Sequence, residues 1–300
     1  MSRERPRIGI DLGGTKVEGI VLNGNGEILK RLRRPTPQDN YEETLDTVCD
    51  LVRDLESDYG ELPLGIGTPG SVSPATGRIK NANSTCLNGR PLREDLERRL
   101  TRPVRLANDA NCFALSEAVD GAGAKHRVVF GVILGTGVGG GVIIERKPLT
   151  GLNAIAGEWG HNPLPDPADT ERPGPKCYCG RRGCIESWLS GPGMAADHAR
   201  AMGITMTAKE IAGSDAPEAA KTRARYAHRL ARALAVVINV LDPDCIVLGG
   251  GLSQEKGLYE RVPELWDAWV FSDRVDTPLL PPVHGDSGGT RGAAWLWPRD

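Results

Sequence analysis

The sequence predicts an α/β protein built as two related lobes that face each other across a central cleft, on three observations. Short apolar segments ending in glycine-rich turns alternate with segments of helical periodicity. The order strand, Gly-Thr turn, strand, turn occurs twice, with Ile8-Gly-Ile-Asp-Leu-Gly-Gly-Thr15 echoed by Val129-Phe-Gly-Val-Ile-Leu-Gly-Thr136. The 300 residues, with 38 glycines, suit one large or two medium domains with many tight strand-to-loop corners.

The elements follow in order. Arg7 to Asp11 reads as an apolar strand and Val17 to Leu22 as its partner; Asn23-Gly24-Asn25-Gly26 is a hairpin signal, after which Glu27 to Arg33 returns. Residues 40–56 carry Leu45, Val48, Leu51, Val52 and Leu55 at helical spacing. A strand at Leu64 to Gly67, a Gly/Pro/Asn-rich loop, a helix at Leu92 to Arg99, a strand at Val104 to Ala107 and a helix at Ala110 to Gly121 complete the first lobe, residues 1–120. The second, 121–288, has strands at Val128 to Leu134 and Val142 to Glu145, a Pro-rich loop (Pro163 to Lys176), a cysteine cluster, helical runs over 187–202 and 217–241, and a strand at Cys245 to Leu248. A last short helix, about 289–300, is expected to pack back on the first lobe.

Composition narrows the function. A net charge of −2 offers no electrostatic footprint for nucleic acid or an acidic membrane surface, so neither is an expected partner. The basic run Lys30-Arg31-Leu32-Arg33-Arg34 reads as a solvated strand edge. No apolar stretch approaches the roughly 20 residues that span a bilayer, and the start lacks the apolar core of a secretory signal. Of seven cysteines, three cluster (Cys177, Cys179, Cys184) and four are scattered. That pattern suits a cytoplasmic protein with one metal site, not a disulfide framework.

Five motifs carry chemistry. Asp11-Leu12-Gly13-Gly14-Thr15-Lys16 follows a strand; glycine backbone N–H groups and a Thr hydroxyl can approach phosphate oxygens, and an acid there can hold hydrated Mg²⁺. It is not a Walker loop, because no G-x-x-x-x-G-K-[ST] occurs. Gly135-Thr136-Gly137 begins a run to Gly141 that matches G-x-G-x-x-G literally. Strand residues Val142-Ile143-Ile144 follow instead of a helix, so a dinucleotide fingerprint fails and a second phosphate turn fits better. Asn108-Asp109 stands at a strand end: such a pair is commonly a helix N-cap, but a carboxylate there can also accept a hydroxyl proton in phosphoryl transfer. Gly157-Glu158-Trp159-Gly160-His161 precedes Cys177-x-Cys179-x₄-Cys184-Ile185-Glu186. One His and three Cys make a closed structural zinc set, against the plainer reading of three buried thiols and a surface His. Zinc there would pin the Pro-rich loop so that Glu158 and Glu186 point into the cleft, and His161 could bind zinc by one ring nitrogen and a sugar hydroxyl by the other. Finally, Val247-Leu248-Gly249-Gly250-Gly251 ends a strand in glycines, where backbone could lie against a flat adenine.

In this order the motifs resemble the ROK family of sugar kinases and repressors, over Ile8 to Trp297. The resemblance implies an actin-like ATPase (ribonuclease H-like) fold with ATP, Mg²⁺ and structural Zn²⁺. It implies Asp109 as catalytic base, with Asn83, Asn108, Glu158, His161 and Glu186 on the sugar. Asp11, Gly13, Gly14, Thr15, Lys16, Thr136, Gly137, Gly249 and Gly250 would serve ATP and Mg²⁺; His161, Cys177, Cys179 and Cys184 would hold zinc. Lys80-Asn-Ala-Asn-Ser-Thr-Cys-Leu-Asn-Gly89 and His284 to Trp297 look like the bacterial fructokinase (mannokinase) branch, which implies fructose as substrate with mannose or glucose secondary. N-acetylglucosamine kinase and glucokinase are the alternatives within the family. A sugar-responsive repressor is disfavoured, since only seven residues precede Ile8 and no helix-turn-helix is apparent. A homodimer is a family expectation.

Overall fold

A computed structural model describes residues 5–298, so the first residues of the expected first lobe and the last two of the expected final helix lie outside the described residues. The small lobe runs β1 (Arg7–Leu12), β2 (Lys16–Leu22), β3 (Ile28–Pro35), α1 (Tyr41–Glu56), β4 (Leu64–Thr68), β5 (Ser71–Val72), β6 (Ile79–Lys80), α2 (Leu92–Leu100), β7 (Val104–Asn108) and α3 (Asp109–Asp120). Next come β8 (Val128–Leu134), β9 (Val138–Ile144), β10 (Lys147–Pro148), α4 (Glu186–Leu189), α5 (Gly191–Met202), α6 (Ala208–Gly213) and α7 (Pro217–Leu241). The chain finishes with β11 (Cys245–Gly249), α8 (Leu258–Arg261), β12 (Leu279–Leu280) and α9 (Gly288–Trp295). Among the described residues no helix is long and apolar enough to cross a membrane.

Two five-stranded sheets share one plan, which explains the repeated sequence order. The first is ordered β3-β2-β1-β4-β7 and the second β10-β9-β8-β11-β12. In each, three antiparallel strands are extended by two parallel ones. The helices α3 and α9 lie between the sheets: α9 packs on β1 and β4, α3 packs on β8 and β9, and the two helices pack on each other. Their apolar faces form a central core of Phe113, Ala114, Leu115, Ala118, Ala294 and Trp295 with Ile20, Val129 and Val247.

Glycines set the depth of this packing. A Cβ on Gly292 would stand 1.6 Å from the Cys112 carbonyl oxygen, and on Gly65 1.9 Å from that of Ala293. They let backbones approach where any side chain would collide. The same cause corrects one sequence expectation. β9 begins at Val138, not Val142, because α3 lies directly on it: a Cβ on Gly141 would meet the Ala114 methyl at 2.8 Å. Gly139 and Gly141 therefore serve sheet–helix contact while Gly140, on the other face, makes room for Gly157 and Trp159, and the second turn is confined to Gly135–Gly137. The run expected as one helix over 187–202 is two, since Ser190 leaves the helical conformation and its side chain caps α5 through Gly193 N–H.

The basic edge strand also departs from the solvated reading. Arg31 and Arg33 both reach the buried Glu18 on β2, Arg34 pairs with Asp54, and Lys30 lies 2.7 Å from Asp58. β3 is an outer strand, but its cations are partnered.

Candidate active site

The carboxyl ends of β1 and β7 bring two aspartates together. Asn108 ends β7 and takes the N-cap of α3, its Oδ1 accepting from Ala110 N–H at 2.9 Å. Its Nδ2 donates to the Gly70 carbonyl at 3.1 Å, fastening the Gly67-Thr68-Pro69-Gly70 turn. Asp109 is the first residue of the helix, and its Oδ1 also accepts from Ala110 N–H, at 2.8 Å. The cap is thus supplied by Asn108, and Asp109 faces the cleft. Its side chain is open to that cleft, yet it sits deep between the lobes, so desolvation raises its pKa above the ordinary aspartate range despite the helix N–H.

Asp11 lies on β1 opposite Glu18 of β2. Its pKa is pushed up to about 6 by burial first, then by Asp109 and Glu18, while Lys16 pulls it down. The N-terminus of α9 comes close as well, a Cβ on Gly289 lying 3.4 Å from the Asp11 carboxyl carbon. Two desolvated carboxyls in a cleft, with Asp109 raising the pKa of Asp11, make a donor set suited to a hard divalent cation, with oxygen ligands as Mg²⁺ requires.

The first turn is held by its carbonyls. Thr36 Oγ1 donates to Gly13 O at 2.7 Å, Gln38 Nε2 to Gly14 O at 3.0 Å and Thr36 N–H to Thr15 O at 3.1 Å. Gly13, Gly14 and Thr15 line a cavity of about 300 Å³. Asn83 lines that same cavity, apart from the remaining sugar candidates. Lys16 is exposed at the head of β2, 3.7 Å from Glu18. In the second turn Thr136 is exposed, and Glu186 Oε2 accepts from Val138 N–H at 3.0 Å, beside Gly137. At Gly249 and Gly250 packing already requires glycine. A Cβ on Gly249 would strike the Phe113 ring at 2.4 Å, and Gly250 has φ +80° against the Leu134 carbonyl.

Glu158 sits near Asp109, His161, Lys80 and Glu186. Desolvation raises its pKa first; His161 and Lys80 lower it, and Asp109 and Glu186 raise it. The ligand atoms of His161, Cys177, Cys179 and Cys184 all lie within 4.8 Å of one another. His161 Nδ1 is 3.6 Å from Cys177 Sγ, and Cys179 Sγ is 3.6 Å from Cys184 Sγ. Thiolates around tetrahedral zinc stand about 3.8 Å apart, so the set fits that ion, with Nδ1 inward. Nε2 points the other way, 2.9 Å from Tyr178 Oη.

Three features escaped the sequence reading. Arg229 pairs with both Glu171 (2.7 Å) and Asp197 (3.0 Å), and Arg232 with Glu171 (2.9 Å), all four side chains being buried. This network anchors the Pro-rich loop to α5 and α7. Its signal was present: two arginines on the apolar stripe of a 25-residue helix. Tyr178 and Lys80 lie within the motif stretches but were given no role of their own, and only the folded chain sets them beside His161 and Glu158.

Comparison with known proteins shows the family and the fold. The family model described as ROK family matches residues 7–300. An N-acetyl-D-glucosamine kinase of Shigella flexneri is 40% identical over 305 residues, covering 96% of this chain and 98% of that protein. The fold is similar to the ROK hexokinase of Thermus thermophilus (TM-score 0.82, 30% identity, 97% of each chain). It is also similar to a ROK family glucokinase of Streptomyces griseus in complex with glucose and AMPPNP (TM-score 0.77, 29% identity, 97% of this chain and 98% of that one). The actin-like ATPase fold is common ground among them. The compared relative is named for N-acetyl-D-glucosamine, not for the fructose that the sequence motifs suggested.

Proposed function

The chain belongs to the ROK family, and from that membership we propose that it transfers the γ-phosphoryl group of ATP to the 6-hydroxyl of a hexose, with Asp109 as the base. The observation that carries this reading is the meeting of Asp11 and Asp109 at the strand ends beside the Gly13–Thr15 turn. Phosphoryl transfer asks a protein mainly for position and charge neutralisation. Asp109 accepts the hydroxyl proton as the oxygen attacks, and its raised pKa brings it nearer the range where a carboxylate is an effective base. Asp11 would hold Mg²⁺, which when bound neutralises phosphate charge. Backbone of the two Gly-Thr turns cradles the nucleotide phosphates, and Glu158, His161 and Glu186 orient the sugar. Closure of the lobes excludes water and limits hydrolysis of ATP. His161, Cys177, Cys179 and Cys184 would hold zinc, which would serve to pin the loop structurally and not to take part in the transfer.

For the hexose we keep fructose as the first reading, because the resemblance to the fructokinase branch lies in Lys80 to Gly89, within the loop that carries Asn83. N-acetyl-D-glucosamine is the second reading, supported by 40% identity over nearly the whole chain to a kinase named for it. Whole-chain identity is dominated by scaffold, whereas a few hydrogen bonds decide between sugars. A coupled ATP assay over fructose, mannose, glucose and N-acetylglucosamine, compared by kcat/KM, decides the matter. The largest value for N-acetylglucosamine would replace the fructose reading; no turnover with any of them would remove the kinase reading. Action as a homodimer in the cytoplasm is part of the proposal.

A further inference from the structure

We propose that Lys80 is a positioning residue for the sugar site, tying the small-lobe ribbon to the large-lobe loop 149–157 across the cleft. Lys80 ends β6, which pairs antiparallel with β5, Ser71 standing opposite it. Its Nζ donates to the carbonyl oxygen of Asn153 at 2.9 Å, a bond spanning 73 residues of chain. Asn153 belongs to a loop whose other backbone bonds are largely to its own residues, such as Ala154 N–H to Gly151 O and Ala156 N–H to Thr150 O. That loop also exposes Leu152 (92%) and Ile155 (47%), so apolar burial does little to fix it.

Two independent observations connect this bond to the ligand. A cavity of about 100 Å³ lies between the two segments that it joins, lined by Ser71, which stands opposite Lys80, with Asn108 and Asn111 on one side, and by Thr150 and Ala154, the neighbour of Asn153, on the other. Within that wall Asn111 Oδ1 is buried without a hydrogen-bond partner, an acceptor that a hydroxyl-rich ligand would satisfy. Lys80 is also the lysine that faces Glu158, where it offsets the repulsion of Asp109 and Glu186. An ammonium on a flexible four-carbon stem suits the role, since it can reach a carbonyl across a gap and follow it as the lobes close. The inference rests on the hexose kinase reading for the identity of the ligand, but the tie itself does not depend on turnover.

The test compares wild type with Lys80→Met and Lys80→Arg. Amide hydrogen exchange over residues 149–157 is measured without ligand, and hexose affinity by calorimetry without ATP. Lys80→Met is expected to speed exchange in that loop and weaken hexose binding about tenfold, the scale of one charge-assisted hydrogen bond. Lys80→Arg is expected to restore both in large part, with unchanged melting temperature in each variant. Loop exchange and hexose affinity in Lys80→Met equal to wild type would overturn the proposal, and so would a uniform rise in exchange along the chain. A wild type that binds hexose without phosphorylating it would sink the kinase reading and leave the Lys80 comparison standing.

Discussion

Asp11 and Asp109 belong to the same physical event, the placing of two acids where desolvation opposes their charge. For Asp11 the shift has a definite sign. Its folded pKa, about 6, lies above the ordinary value of 3.8, so the folded state binds the proton more tightly. Stability linked to this group is therefore present at low pH and is lost as pH rises from about 4 to about 6. The substitution Asp11→Asn removes that loss. Without Mg²⁺ and ATP, the variant is expected to melt several degrees above wild type at pH 7 and to match it near pH 4, as read by calorimetry. A melting temperature lower than wild type at pH 7 would show that the ionised Asp11 is held by favourable contacts instead. In the sequence the local pattern at Asp109 favoured a cap, and it was the family resemblance that implied a base. The structure gives the N-cap to Asn108, whose side chain accepts from Ala110 N–H, and leaves Asp109 facing the cleft.

At the scale of elements, glycines decide how the lobes meet. α9 crosses β1 and α3 so closely that Gly9, Gly65 and Gly292 cannot carry a side chain without moving backbone. Gly292→Ala would press a methyl into the Cys112 carbonyl, and is expected to cost about 3 kcal/mol or more in urea denaturation. A cost within 0.5 kcal/mol, the range of an inert surface change, would mean that the helices separate freely. The periodic elements were legible in sequence because each is amphipathic or apolar over its own length, as in α1 with Leu45, Val48 and Leu55. The extent of β9 was not, because Gly139 to Gly141 look like a turn until α3 is laid on one face of them and Gly157 with Trp159 on the other. The packing of Gly249 against Phe113 was hidden for the same reason: the partner is 136 residues away.

For the whole molecule, two sheets of one plan enclose the cleft, and the cysteine-bearing loop completes its far wall. That loop is held twice, by the His161–Cys177–Cys179–Cys184 cluster at one end and by Glu171 with Arg229 and Arg232 at the other. The cluster was readable from local spacing, whereas the ion-pair network joins residues about 60 apart, so the sequence showed only one side of it, the two arginines on the apolar stripe of α7. Chelation or Cys179→Ser is accordingly expected to release zinc, measured by elemental analysis, and to weaken hexose binding strongly while the buried network keeps the fold cooperative. Unchanged hexose affinity in the metal-free protein would refute the part given to zinc. The central claim, that Asp109 takes the proton of a hexose hydroxyl during transfer from ATP, is tested most directly by Asp109→Asn. Sugar phosphate formation is followed by a coupled assay and hexose binding by calorimetry on the same samples. The account predicts hexose affinity close to wild type with turnover reduced by about a thousandfold or more; turnover within a few-fold of wild type would contradict it.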